Sequence, residues 1–129
     1  MVNDTSRLCV LVVEDEPLIR WSIAETLARA GHTVLEADDA ESAIRTLGEM
    51  PEPADVVLLD YRLPDSNDLT LLATIRRLAP NSAVVMMTAY GTPEVTRAAL
   101  ELGAYGVVDK PFDMHDLQPI LLDAIAAPR

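Results

Sequence analysis

Cysteine and lysine are almost absent from this chain of 129 residues, and basic charge is in short supply. Cys9 is the single cysteine, so no intramolecular disulfide can form. It lies in the apolar run Leu8-Cys9-Val10-Leu11-Val12-Val13, which predicts a buried core thiol in a reducing compartment. Ten basic residues stand against 21 acidic ones, a formal net charge of −11. That balance argues against direct binding to nucleic acid or to an anionic membrane surface. No window approaches the ~18 consecutive apolar residues of a membrane span. The start of the chain, Met1 to Arg7, lacks the order of a secretion signal, a charged region followed by an apolar one. A cytoplasmic protein without a membrane segment is the expectation.

Half of the residues are hydrophobic, enough for one core, and the length suits one domain. Short apolar runs at Leu8 to Val13, Val34 to Ala37, Val56 to Leu59, Ala83 to Met87 and Tyr105 to Val108 read as five strands. Segments 17–30, 39–50, 68–78, 93–102 and 113–127 carry apolar residues at helical spacing, as in Ile19, Ile23 and Leu27. The alternation is (βα)₅. The first and third runs are apolar at every position, as strands of a parallel sheet covered on both faces must be. Right-handed crossovers then predict an α/β, doubly wound, parallel five-stranded sheet in a three-layer α/β/α sandwich. Residues 8–127 form the expected domain, with 1–7 as an N-terminal tail and 128–129 as a C-terminal tail or the start of a linker. Thr92-Pro93 supplies a capping hydroxyl and a first-turn proline, and Ala30-Gly31 and Leu102-Gly103 place glycine at helix ends. Pro119 falls within the last helical segment, so that helix either kinks there or begins nearby.

In an open α/β sheet ligands bind beyond the carboxyl ends of the strands. The residues just after the apolar runs are Glu14-Asp15-Glu16, Asp60, Thr88 and Lys110, expected to converge on one crevice. Gathering Glu14, Asp15 and Asp60 without a cation is costly, because like charges raise carboxyl pKa values. Mg²⁺ removes that cost, with Asp15 and Asp60 as direct ligands and Glu14 acting through water. Asp60 can then attack phosphorus as a carboxylate nucleophile. Lys110, the only lysine beside nine arginines, supplies the remaining positive charge, and Thr88 can donate its hydroxyl to a phosphoryl oxygen. Each residue taken singly has a plainer reading. Asp15 or Glu14 could cap the helix that opens at Pro17, and the others could be ordinary strand-end or solvated groups.

Four motifs stand in order: Val12-Val13-Glu14-Asp15-Glu16, Leu58-Leu59-Asp60-Tyr61-Arg62-Leu63-Pro64, Met87-Thr88-Ala89-Tyr90-Gly91, and Gly103 through Asp109-Lys110-Pro111-Phe112. By them the chain resembles the receiver domain of two-component response regulators from about Leu8 to Ala127. The resemblance implies a flavodoxin-like fold and phosphoryl transfer from the histidine of a sensor kinase to Asp60. It also implies slow self-hydrolysis, without action on any other substrate, and Mg²⁺ held by Asp15, Asp60 and the Arg62 backbone carbonyl. A cis Lys110–Pro111 bond is implied too, with Arg62 and Tyr90 flanking the phosphoryl group and tuning its lifetime. The face made by the fourth helix, fifth strand and fifth helix would signal to an output domain or partner protein, and a symmetric homodimer through that face is an open option. Receivers attached to transcriptional regulators look most similar.

Three positions depart from that pattern. Val107 replaces the usual aromatic three residues before the lysine, and Tyr105 or Tyr90 could substitute or could simply cover the surface. Asp68 replaces the usual glycine after Pro64 and could cap the third helix. Pro119 lies in the helix through which relatives dimerise. Trp21 is expected to be a partly buried packing residue, and His32 and His115 are given no role. The competing readings are a Mg²⁺-dependent phosphatase of the haloacid-dehalogenase kind, a nucleotide-binding domain and a phosphorylation-independent binding module. The first expects aspartate where Arg62 stands, and the second expects glycines where the first loop has acidic residues.

Overall fold

The computed structural model of the chain describes residues 7–89 and 91–127. Five strands, β1 (Cys9–Val13), β2 (Thr33–Ala37), β3 (Val56–Asp60), β4 (Ala83–Thr88) and β5 (Gly106–Asp109), alternate with five helices. The helices are α1 (Pro17–Arg29), α2 (Ala40–Glu49), α3 (Thr70–Leu78), α4 (Pro93–Glu101) and α5 (Leu117–Ala126). All strand pairs are parallel, in the order β2-β1-β3-β4-β5. The expected (βα)₅ sandwich is therefore the fold. The order reverses between β1 and β3, so their connections leave to opposite sides and open a crevice at the carboxyl ends.

Period-2 alternation divides the core into two layers. Leu11, Val13, Val57, Leu59, Val84 and Met86 face Leu72, Ile75, Ala43 and Ala99 on one side. Val10, Val12, Val56, Leu58, Val85 and Met87 face Ile23, Leu27, Leu117 and Leu121 on the other. Burying each such aliphatic side chain contributes about 1.5–3 kcal/mol. The edge strands β2 and β5 are only partly covered.

Helix starts follow local chemistry. The Glu16 carboxylate accepts from the Leu18 and Ile19 N–H groups ahead of Pro17, so Glu16 caps α1, a position for which Asp15 and Glu14 are the sequence candidates. Thr92 accepts from Val95 N before Pro93, as expected. Asp39 and Ser42 form a capping box on α2. Asp68 Oδ1 accepts from Thr70 N, the first residue of α3, but the cap position is Leu69, which gives no side-chain bond, so Asp68 braces the approach to the helix from one residue before the cap. Gly31 and Gly103, just past α1 and α4, have φ of 99° and 104°, the left-handed turn that ends a helix. The last helix begins at Leu117 after a 3₁₀ turn at Met114–Asp116. Pro119 thus sits in the first turn, where its missing N–H costs no helical bond.

Four expectations need correction. Cys9 is half-buried, because it is the first residue of β1 and only Val10–Val13 lie between both helical layers. Trp21 is 59 % exposed, since the inner face of α1 is made by Ile23, Ala24 and Leu27. The fifth strand starts at Gly106, leaving Tyr105 outside it. His32, given no role above, is a structural link. Its buried ring accepts from Leu8 N at Nδ1 (3.0 Å) and meets Gln118 Oε1 at Nε2 (2.7 Å). The amide assigns the ring proton to Nε2 and ties α5 to the start of β1. No helix among the described residues is long and apolar enough to cross a membrane.

Candidate functional site

The parallel register sets the site. Val13 pairs with Leu59, Asp60 with Met87 and Thr88 with Asp109, so neighbouring strands end at one level. Asp60 and Thr88 are the last residues of β3 and β4, one position earlier than the loops in which the sequence places them. Two backbone bonds continue the ladder past the strand ends, Tyr61 N to Met87 O and Lys110 N to Thr88 O, both 2.8 Å. They hold the loops after β3 and β5 against β4.

A cleft of about 530 Å³ opens there, lined by Glu14, Asp15, Asp60, Arg62, Thr88 and Lys110 among others. All four predicted strand ends therefore meet. Carboxylate oxygens of Glu14, Asp15 and Asp60 lie within 4.8 Å of one another. Glu14 and Asp60 are buried, whereas Asp15 is exposed to the cleft. Lys110 Nζ lies 2.5 Å from Glu14 Oε1 and 3.1 Å from Asp60 Oδ2. Glu16 N donates to Glu14 Oε2, and Arg62 N donates to Asp60 Oδ1 at 3.3 Å. The Glu14 carbonyl accepts from Arg20 Nη1, which fixes the loop after β1 from α1.

Burial pushes the Glu14 carboxyl above the usual carboxylate range, more than the Lys110 hydrogen bond and the Glu16 N–H offset. Burial also pulls the Lys110 ammonium down, but the Glu14 hydrogen bond and the Asp60 charge outweigh it, and Lys110 holds its proton more tightly than a free lysine. Glu14, Asp15 and Asp60 bring three carboxyl groups to the cleft beside Lys110 and Arg62. An acidic, all-oxygen donor set of this kind suits a hard dication.

Among the residues singled out for switching, Val107 pairs with Met86 and packs on the inner layer under α3 and α4. Tyr105 lies at the far end of β5 from Lys110, 41 % exposed, beside Arg76, Gly103 and Ala124, and the fold does not bring it to the cleft. Tyr90 lies outside the described residues. The Lys110–Pro111 bond is cis, as the resemblance implies. Phe112, Met114 and Ile19 also line the cleft, and their apolar character carries no sequence signal for such a place. Gly91 is another site residue that sequence reasoning misses. A Cβ there would stand 2.9 Å from Thr88 Cγ2 and 3.2 Å from Asp109 Oδ1, so any larger residue must shift Thr88 or the loop.

Residues 10–122 match the family described as the response regulator receiver domain. The response regulator protein PilR of Pseudomonas aeruginosa is 36% identical over 120 residues, covering 93% of this chain and 26% of PilR. A DNA-binding transcriptional regulator NtrC from Bradyrhizobium is 33% identical over 93% of this chain and 25% of its own length. The chain thus spans about a quarter of the length of these curated relatives. Among solved structures, a response regulator receiver domain protein from Clostridium thermocellum superposes with a TM-score of 0.85 at 28% identity, covering 92% of this chain and 94% of the other. None of these relatives supports the phosphatase alternative, and Arg62 stands in the cleft where that chemistry needs a second aspartate. The chain belongs to the response regulator receiver domain family, the phosphorylation-controlled switches of two-component signalling.

Proposed function

We propose that Asp60 accepts a phosphoryl group from the phosphohistidine of a sensor kinase, and that the resulting aspartyl phosphate changes the surface formed by α4, β5 and α5. The observation that carries this reading is the placement of the Asp60 carboxylate at a strand end, against Lys110 and open to an acidic cleft. An Asp60 oxygen forms the new P–O bond while the P–N bond of the donor breaks, its electron pair returning to the imidazole. Lys110 keeps its proton and faces charge that moves onto the phosphoryl oxygens. Thr88 offers a hydroxyl at the end of the adjacent strand. Asp15, Asp60 and the Arg62 carbonyl are the proposed holders of Mg²⁺, with Glu14 reached through water. Bound there, Mg²⁺ supplies the positive charge that the cleft lacks.

Once phosphorylated, Asp60 carries more negative charge and strong acceptor oxygens, which draw Thr88 and Lys110 inward. Their loops lead directly into α4 and towards α5, where Leu100, Leu102 and Leu122 are exposed. We assign the receiver unit to residues 8–127, and place it in the cytoplasm with a kinase and an output domain or partner as its contacts. A homodimer through the α4–β5–α5 face is one form of that output. Similarity to PilR and NtrC favours a transcriptional output in a longer protein, with DNA contacted outside this acidic unit. The only catalysis assigned to the chain is its own phosphoryl transfer and slow dephosphorylation, modulated by Arg62 and Tyr90.

Intact-mass measurement after incubation with Mg²⁺ and acetyl phosphate tests the reading. One phosphoryl adduct on the wild type, absent from Asp60→Asn and abolished by chelation, is expected. No adduct from acetyl phosphate or from a sensor kinase, with Mg²⁺ bound, would leave a phosphorylation-independent binding module as the better account.

A further inference from the structure

The loop after β3 departs from the receiver pattern, having Asp65-Ser66-Asn67-Asp68 where glycine is usual, and the structure shows what holds it instead. Asp65 Oδ1 accepts from Ala40 N (2.8 Å) and Oδ2 accepts from Glu41 N (3.1 Å), the first two residues of α2 and more than twenty positions away in sequence. The helix already has a cap of its own, since Asp39 Oδ1 takes the N–H of Ser42 (2.7 Å). Asp65 takes the two preceding N–H groups, which nothing within the helix can satisfy. A carboxylate bonded twice at a helix N-terminus gains from charge-assisted hydrogen bonding and from the helix dipole. Those gains offset the repulsion expected from Asp38, Asp39 and Glu41 nearby in a chain of net charge −11.

Between Asp60 and Asp65 the chain is fastened at successive points. Tyr61 N donates to Met87 O, the Leu63 side chain is buried in the core, and Leu63 and Ser66 exchange two backbone bonds of 2.8 and 3.2 Å. Arg62 lies between the first two fastenings, and Asp65 anchors the far end of the same strap to a rigid helix.

We infer that Asp65 is a positioning residue, which by bracing the loop after β3 against the N-terminus of α2 holds the Arg62 backbone carbonyl in place for the divalent cation. The inference rests on the functional reading above, in which that carbonyl is a Mg²⁺ ligand. Asp65 itself is not a ligand; its carboxylate is committed to α2.

Calorimetric titration of the full chain with Mg²⁺ alone, paired with a thermal melt of each metal-free protein, tests it. Asp65→Ala removes the brace together with one negative charge. Ala40→Pro removes the N–H that Asp65 Oδ1 needs without changing charge. Proline is well tolerated at the first position of a helix, and the extended backbone of Asp39 suits a following proline. Asp68→Asn removes a charge from the same loop without touching the brace. Partners that orient a metal ligand are typically worth 10–100-fold in affinity, and one acting through the backbone belongs at the lower end, about tenfold. Asp65→Ala and Ala40→Pro should both weaken Mg²⁺ binding by about that factor, and Asp68→Asn by less than about twofold. Wild-type affinity in Ala40→Pro overturns the inference, whether Asp65→Ala binds normally or shows only the effect of lost charge. Failure of the wild type itself to bind Mg²⁺ overturns both this inference and the functional reading beneath it.

Discussion

Lys110 Nζ lies 3.1 Å from Asp60 Oδ2 and at the same time hydrogen-bonds Glu14 Oε1, so one ammonium bridges the ends of β1 and β3 from the loop after β5. The three elements are distant in sequence, and the bridge replaces part of the charge that a metal would bring. Its removal leaves the buried Glu14 carboxylate unpaired. Breaking one side of a buried ion pair costs about 3–5 kcal/mol, and the partial exposure of Lys110 places this one near the lower figure. Lys110→Met should therefore lose about 3 kcal/mol in urea unfolding without Mg²⁺ and recover more than the wild type when Mg²⁺ is added. Its labelling by acetyl phosphate should fall at least about tenfold, by loss of a fixed positive charge at the reacting group.

Gly91 sets how closely the loop after β4 approaches Thr88. With a Cβ only 2.9 Å from Thr88 Cγ2, Gly91→Ala must displace either the loop or the threonine. Small displacements of a reacting constellation are expensive, up to about 100-fold for 1 Å. The adduct should form about tenfold more slowly in Gly91→Ala, by timed intact mass, while Mg²⁺ affinity stays within about twofold because no proposed metal ligand is touched.

His32 satisfies the Leu8 amide from one ring nitrogen and Gln118 from the other. Removing the ring strands a buried donor, which costs about 1–3 kcal/mol. In denaturant titrations His32→Ala should lose that amount and Gln118→Ala less. Because the pair is in direct contact, the double variant should lose less than the sum of the two. Additive losses would show that the 2.7 Å contact contributes nothing.

Acid should reveal the carboxylates at the helix starts. The Ser42 backbone hydrogen bond is the main cause holding the Asp39 carboxyl below the usual aspartate range, and the Thr70 N–H does the same for Asp68. A carboxyl lowered in the folded state stabilises the protein above its unfolded pKa of about 3.9, and that contribution disappears as pH falls through the folded value. Asp39→Asn should be less stable than the wild type at neutral pH, and the two should converge as pH falls below the ordinary aspartate range when thermal melts are compared across pH. A constant difference at every pH would assign the effect to packing instead of charge.

The elements with strong local signals are legible in the sequence. Five apolar runs, the cap at Thr92 and the glycines after α1 and α4 all depend on neighbours in the chain, and the strands and helices lie where they indicate. Strand ends differ by one residue at Asp60 and Thr88, because pairing with Met87 and Asp109 extends the ladder beyond the purely apolar stretch. Trp21 misleads because hydrophobicity does not specify which side of a helix faces the sheet, and α1 turns Ile23 and Leu27 inward. Tyr105 shares a strand face with Val107 by alternation, but alternation carries no information on distance along the strand from Lys110. His32 and Asp65 are invisible as structural devices, since each acts on an amide more than twenty residues away.

Propensity, periodicity and motif order are local properties, and they suffice for the alternation of strands and helices, for picking out Glu14, Asp15, Asp60, Thr88 and Lys110 as residues that meet at one cleft, and for the kinship those residues imply. The strand order β2-β1-β3-β4-β5, the sharing of one lysine between Glu14 and Asp60, and the brace from Asp65 to α2 belong to the folded chain alone. Those relationships exist only once parallel register brings distant strand ends to one level and excludes water from between their charges.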